Sequence, residues 1–146
     1  MCSSDLHHNV YNLAKSHLAE LVGKEGDDWD EISYTPYIYG AGTKISWHDD
    51  TGYRAAAIFY CHPEWNPFWG GELMLANTPR IEDVQLPAGN SDLINRGFTS
   101  ALLNHFGNGT YILPIPNRLA FTRTGVWHCI NRVDSAAGDK IGRAHV

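Results

Sequence analysis

Residues 32–50 read ISYTPYIYGAGTKISWHDD, and the change of period inside this stretch decides the fold. Residues 32–39 are rich in β-branched and aromatic side chains, the composition of a strand. Gly40-Ala41-Gly42-Thr43 is a turn signal. Residues 44–47 then predict a short strand that delivers His48-Asp49-Asp50 at its end. Upstream the period is helical. Val10, Leu13, Ala14, Leu18, Leu21 and Val22 share one face of a helix predicted over 9–22, ended by Gly23, with a polar acidic loop over 26–31. Downstream, 54–61 (RAAAIFYC) predicts a buried strand, 62–70 a loop rich in Pro and Trp, and 71–76 (GELMLA) another strand. Residues 77–109 hold Pro79 and Pro87 and predict a short helix over 92–106 with Ser91 as its N-cap. Strands are predicted again at 111–113, 119–122 and 126–133, the last after the Thr124-Gly125 turn, with a loop over 134–139. A leading helix followed by many short, turn-punctuated strands predicts a mostly β domain, a sandwich or jelly roll.

Composition narrows the function. At 146 residues there is room for one domain. With 43% hydrophobic and 18% charged residues, the chain carries enough apolar surface for a core, which excludes a disordered protein. No apolar run is long enough for a membrane-spanning helix, and the start carries no signal-peptide pattern. The formal net charge is −5 with no basic stripe, so nucleic acid is not expected as a partner. Three Cys and eight His point to metal chemistry in a reducing, cytoplasmic setting rather than to disulfides.

The two ends stand apart. The tail Ile141-Gly142-Arg143-Ala144-His145-Val146 can be written ATC GGA AGA GCA CAC GTC. The reverse complement of that string reads Met-Cys-Ser-Ser-Asp when GTG serves as the start codon, which is how the chain begins. Residues 1–6 and 141–146 are therefore read as translated sequencing adapter and kept out of fold reasoning. Residues 7–140 are expected to be the natural segment, a fragment whose final strand or strands are truncated.

His48 and Asp50 carry the sharpest chemical signal. Residues i and i+2 of a strand point to one face, so an imidazole and a carboxylate can converge there. A second His from a distant strand would complete a set of two His and one carboxylate, a ferrous site with open positions. His128, in the run Trp127-His128-Cys129-Ile130, is the best candidate. Other readings of these residues stand beside this one: a surface Asx-type turn for His48-Asp49-Asp50, and a satisfied core imidazole for His128. Cys61, His62 and Cys129 raise the thought of zinc, but no C-x2-C pair supports it. Trp65, Phe68 and Trp69 are read either as a substrate rim or as a hydrophobic staple under a long loop. Arg54 and Arg123 could meet an anion or form surface ion pairs.

Across residues 37–133 the chain resembles the Fe(II)/2-oxoglutarate dioxygenases, specifically their prolyl-4-hydroxylase-like branch. The resemblance rests on Tyr39-Gly40-Ala41-Gly42-Thr43, Trp47-His48-Asp49-Asp50, Ala57-Ile58-Phe59-Tyr60 with Trp65, Gly70-Gly71-Glu72-Leu73, Asn117 to Phe121, and His128-Cys129-Ile130 with Val133, all in family order. It implies a double-stranded β-helix buttressed by the N-terminal helix, with 77–109 forming part of the substrate side. It implies His48, Asp50 and His128 as catalytic iron ligands, and Tyr39 with Tyr60 or Phe59 beside the co-substrate. Alternation admits only one of that last pair, and Tyr60 is preferred for its hydroxyl. The family also sets an Arg or Lys after the second His to hold the distal carboxylate of 2-oxoglutarate. Here Arg143 falls near that place but inside the suspected adapter, and Lys140 is the alternative. The implied cofactors are Fe(II), 2-oxoglutarate and O2, with ascorbate as an accessory. The implied reaction is hydroxylation of an aliphatic carbon in a small molecule or peptide, such as a prolyl residue or free amino acid, with release of succinate and CO2. Two other outcomes stay open: a jelly-roll metal- or ligand-binding module without turnover, and an inactive truncated oxygenase.

Overall fold

The computed structural model describes residues 3–50, 52–78, 100, 103–104 and 107–139, and the backbone of 142–145. Two four-stranded antiparallel sheets face each other. One has the order β1 (Pro36–Tyr39), β8 (Gly142–His145), β3 (Ala55–Tyr60), β6 (Leu119–Arg123). The other has the order β2 (Ile45–His48), β7 (His128–Ile130), β4 (Leu73–Ala76), β5 (Gly109–Ile112). The chain crosses from sheet to sheet at nearly every turn, which is jelly-roll topology, as the strand signals predict.

Alternation sets the core on β3, where Ile58 and Tyr60 are buried, and on β6, where Ala120 and Thr122 are; β4 buries its two ends, Leu73 and Ala76, instead. Tyr39, Ile58, Tyr60, Leu73, Ala120, Ile130 and Val133 form one cluster between the sheets, with Trp65 and Trp69 packed against it. The two indoles meet edge to face at 5.4 Å, and Trp65 Nε1 donates to the Gly70 carbonyl. They therefore act as the staple, while Phe68 between them is 87% exposed.

The helix expected over 9–22 is two helices, α1 (Ser3–Lys15) and α2 (Ala19–Val22), broken where the Ser16 hydroxyl bonds back to the Asn12 carbonyl. Val10, Ala14 and Val22 are its buried face. Arg54, at the start of β3, ties this region down by donating to the Val22 carbonyl and pairing with Asp28 at 2.9 Å. The helix predicted over 92–106, its Ser91 cap and most of 77–109 lie outside the described residues. The tail set aside as adapter is, in its backbone, a strand: 142–145 pairs with β1 on one side and β3 on the other.

Gly70 and Gly71 show why a Gly-Gly pair precedes β4. Both have positive φ, 71° and 78°. Gly70 bridges Val133, and a Cβ on it would run into the Arg132 carbonyl oxygen. Gly26 also has positive φ but faces open space. Gly70→Ala is expected to lower the melting temperature clearly more than Gly26→Ala, because it adds a backbone clash to a backbone penalty of roughly 1 kcal/mol. Equal losses in thermal unfolding would show that the close approach carries no weight.

Candidate metal centre

His48 and His128 stand opposite each other on the neighbouring strands β2 and β7. Their rings lie 4.2 Å apart, centre to centre. This facing depends on a bulge. From Ile45 to His48 β2 takes three steps, while its partner takes two from Ile130 to His128. Such an extra residue re-aims the side chains that follow it.

Asp50 arrives differently from the sequence expectation. The strand ends at His48, and the i, i+2 alternation does not continue to residue 50. Asp50 instead has φ 51°, in the left-handed region that Asp tolerates better than most side chains. Three bonds hold that conformation. Tyr53 N and the Thr124 hydroxyl donate to the Asp50 carbonyl at 3.0 and 3.2 Å, and Gly125 N donates to the Asp49 carbonyl at 3.1 Å. The Thr124-Gly125 turn between β6 and β7 thus positions an acid that lies far upstream in the chain.

The result is one convergent set. Asp50 Oδ1 lies 3.5 Å from His48 Nε2, and Oδ2 lies 3.2 Å from His128 Nε2. One ligand atom from each of the three residues falls within 4.8 Å of the others, the one such His/Cys/Asp/Glu group among the described residues. Cys61, His62 and Cys129 do not form a second. Each imidazole is fixed from behind: His48 Nδ1–H donates to the Ser46 carbonyl and His128 Nδ1–H to the Val126 carbonyl, both at 2.8 Å. A carbonyl only accepts, so each Nδ1 carries a proton and each Nε2 is the ring atom turned toward Asp50, able to ligate a metal once it is unprotonated. Two neutral imidazole nitrogens and a carboxylate form a donor set that suits ferrous iron.

The electrostatics agree with a site built for a cation. The hydrogen bond from His128 holds the Asp50 carboxyl below the ordinary value of 3.8, against the effect of burial. For His128, burial disfavours the charged ring, but the bonds to Asp50 and the Val126 carbonyl outweigh it and raise the ring above 6.5.

A cavity of about 270 Å³ opens from the triad, lined in part by Tyr39, Ile45, Tyr60, His62 and Trp65, and reaches under α1. Tyr39 and Tyr60 are both buried in its wall. Burial pushes the Tyr39 hydroxyl up to about 12 and that of Tyr60 higher still, so both stay protonated donors at neutral pH. Of the pair Phe59 and Tyr60, Tyr60 faces the core as expected. Lys140 lies outside the described residues, and Arg143 is described only as the backbone partner of Ile38. His62, 3% exposed, belongs to the cavity wall. The sequence signal for it was its two-residue spacing from Tyr60.

Residues 34–143 match the pattern of the 2OG-Fe(II) oxygenase superfamily. The chain belongs to that superfamily. Among solved structures it is similar to a Pseudomonas putida prolyl-4-hydroxylase at 16% identity and TM-score 0.48, covering 77% of this chain and 47% of that one. It is similar to a 2OG-Fe(II) oxygenase family oxidoreductase from Burkholderia pseudomallei at 11% identity and TM-score 0.50, covering 94% and 53%. A third likeness, to Drosophila melanogaster CENP-C bound to CAL1, has 10% identity and TM-score 0.40 over 97% and 96% of the two chains. The chain spans about half the length of the two oxygenases. No curated protein sequence matches it. Among the described residues no helix is long and apolar enough to cross a membrane.

The shifts of Asp50 and His128 fix a pH window for the metal-free protein. Asp50 stabilises the fold above about 3.8, and this is lost as pH falls through its lowered folded value. His128 stabilises it below 6.5, and this is lost as pH rises through its raised folded value. The stability advantage of wild type over Asp50→Asn is therefore expected to be larger near pH 5 than at pH 9 in thermal unfolding. The same advantage at both values would contradict the imidazolium–carboxylate pair.

Proposed function

We propose that the chain is an Fe(II)- and 2-oxoglutarate-dependent hydroxylase. The observation that carries the reading is the triad: His48 Nε2, Asp50 and His128 Nε2 on one point, each imidazole locked by a backbone carbonyl. These three residues would hold the iron. When bound, the metal supplies the activation of O2 that couples oxidation of a substrate C–H to decarboxylation of 2-oxoglutarate. Atoms balance as 2-oxoglutarate, O2 and R–H giving succinate, CO2 and R–OH.

The chain's own part is positional. The Ser46 and Val126 carbonyls keep both rings in the metal-binding tautomer. The Thr124 hydroxyl and Tyr53 amide hold Asp50 in its turned conformation. The protonated hydroxyls of Tyr39 and Tyr60 offer donors to a carboxylate co-substrate, and the surrounding Ile45, Ile58 and Ile130 keep the cavity poor in water. The presence of a carboxylate at residue 50 favours hydroxylation. An aliphatic carbon of a small molecule or of a peptide, a prolyl residue included, is the proposed substrate class. Residues 7–140 are proposed as the natural segment. The backbone ladder of 142–145 makes no demand on which side chains fill it.

Wild-type protein with Fe(II) is expected to release succinate from 2-oxoglutarate under air. His48→Ala and His128→Ala should each reduce Mn(II) affinity, measured by calorimetry, by at least about tenfold. A binding module without turnover would hold metal and release no succinate. Undiminished affinity in either variant would remove the triad from the site. Thr124→Val should loosen Asp50 and weaken Mn(II) binding by a smaller factor, with the fold retained in circular dichroism.

A further inference from the structure

The cavity that opens from the triad touches both faces of one sheet. On β3, Ile58 and Tyr60 belong to the core, and alternation turns Ala57 and Phe59 to the opposite side, toward the helices. All four residues line the cavity, as do His48, Asp50 and His128 in one direction and Val10, Ala14 and Val22 in the other. β6 repeats the pattern. Ala120 is in the core, whereas Phe121, the ladder partner of Ala57, lines the cavity from the helix side. A space with walls on both faces passes beside the strand and bends, and its far arm lies under α1 and α2.

Two features fit that arm to hydrocarbon. The first is Ala55-Ala56-Ala57, three small residues in succession on an inner strand. Strands favour Val and Ile, and alanine is depleted in them. Here all three are only half-buried and line the cavity, so the room that larger side chains would fill stays open. The second is the state of the polar groups around the arm. Trp29 Nε1 donates to the Gly23 carbonyl, the Tyr34 hydroxyl to the His7 carbonyl, and Arg54 to the Val22 carbonyl while pairing with Asp28. All three line the cavity with their polar ends engaged. Glu31, Ser33 and Thr35 stand exposed at its surface end. A polar ligand group moved into the arm would give up water without a matching partner, whereas an alkyl group gives up nothing and gains by burial.

We infer that the arm takes an unbranched alkyl chain of the substrate, laid from the triad to the underside of the helices. This rests on the oxygenase reading and narrows its substrate to a molecule with a flexible hydrocarbon tail. A bent passage admits such a tail more readily than a rigid ring. The R–H of the balance above is then a methylene of the tail. Its C–H becomes C–OH with one atom of O2, and the other atom enters succinate. Of the four electrons that O2 accepts, two come from that C–H and two from 2-oxoglutarate as it releases CO2. Ala57 and Phe121 are the specificity-determining residues, because they set how much room the tail finds.

The test is calorimetric titration of the chain, with and without Mn(II), with straight-chain 1-alkanols from butanol to decanol. Wild-type affinity is expected to rise about fourfold with each added methylene. Ala57→Val and Ala57→Ile fill the arm in graded steps with residues that suit a strand. Decanol affinity should fall by about tenfold or more in Ala57→Ile and by a smaller factor in Ala57→Val, while butanol and Mn(II) affinities hold. In the Mn(II)-loaded protein, NMR relaxation of bound decanol should be enhanced most at the one end of the chain that lies at the triad. An affinity independent of chain length overturns the arm. So does a length dependence that Ala57→Ile leaves unchanged, the result expected of binding elsewhere on the surface, or an equal loss of butanol and decanol, the result expected of a damaged fold. Tighter binding of acetyl-prolinamide than of decanol overturns it in favour of a prolyl substrate. If the chain holds no Mn(II) and releases no succinate, the oxygenase reading falls, and the alkanol series on the metal-free chain decides the arm separately.

Discussion

Two imidazole lone pairs and a carboxylate are forced within hydrogen-bonding distance of one another at a single point. Each is an electron-rich donor, and gathering them is favourable only when a proton or a metal cation sits between them. Everything near the site answers to this constraint. The carbonyls behind both rings exclude the tautomer that would turn the lone pairs away. The depressed Asp50 and raised His128 follow from the same closeness, since each group favours the charged form of the other when no metal lies between them.

The fold delivers that point by departing from regular β geometry in two places. A bulge in β2 brings His48 opposite His128, and a left-handed residue at the end of the strand swings Asp50 back toward both. Neither deviation is stable by itself. The first is held by the ladder to β7, the second by the turn that joins β6 to β7. One region of the chain, residues 123–130, thus supplies one member of the triad, the partner strand for another and the hydroxyl that holds the third. Strain at a functional site and its restraint close by belong to the same design.

The sequence made the fold class legible through short-range pattern, alternation in β3 and β6 and a turn before β2, and it singled out His48 and Asp50 by HxD and His128 by the resemblance, three residues that the structure brings together. Parity limited the inward residue to one of Phe59 and Tyr60, and the choice of Tyr60 rested on its hydroxyl rather than on the pattern. The route to Asp50 was not legible, since strand alternation and a left-handed turn both bring residue 50 beside residue 48. The break between α1 and α2 depends on one Ser side chain competing for a carbonyl, which helical periodicity does not register. His62 was passed over because its neighbour Cys61 drew it toward a zinc reading. Its place in the cavity wall is a property of packing. Trp65 and Trp69 left two readings open, and contacts with the core decided for the staple.

The position of β8 has a consequence for biosynthesis. β8, which follows β7 among the described residues, lies between β1 and β3, in contact with both. As the polypeptide leaves the ribosome, β1 and β3 emerge early, yet they cannot become neighbours. They must wait, about two strand spacings or roughly 10 Å apart, for the strand that fills the gap. Until it arrives the sheet presents two facing rows of unpaired amides and carbonyls, a template that any extended segment can enter. Whatever residues fill it, such a slot invites a strand from a chaperone or from a second nascent copy until a segment in the place of β8 claims it.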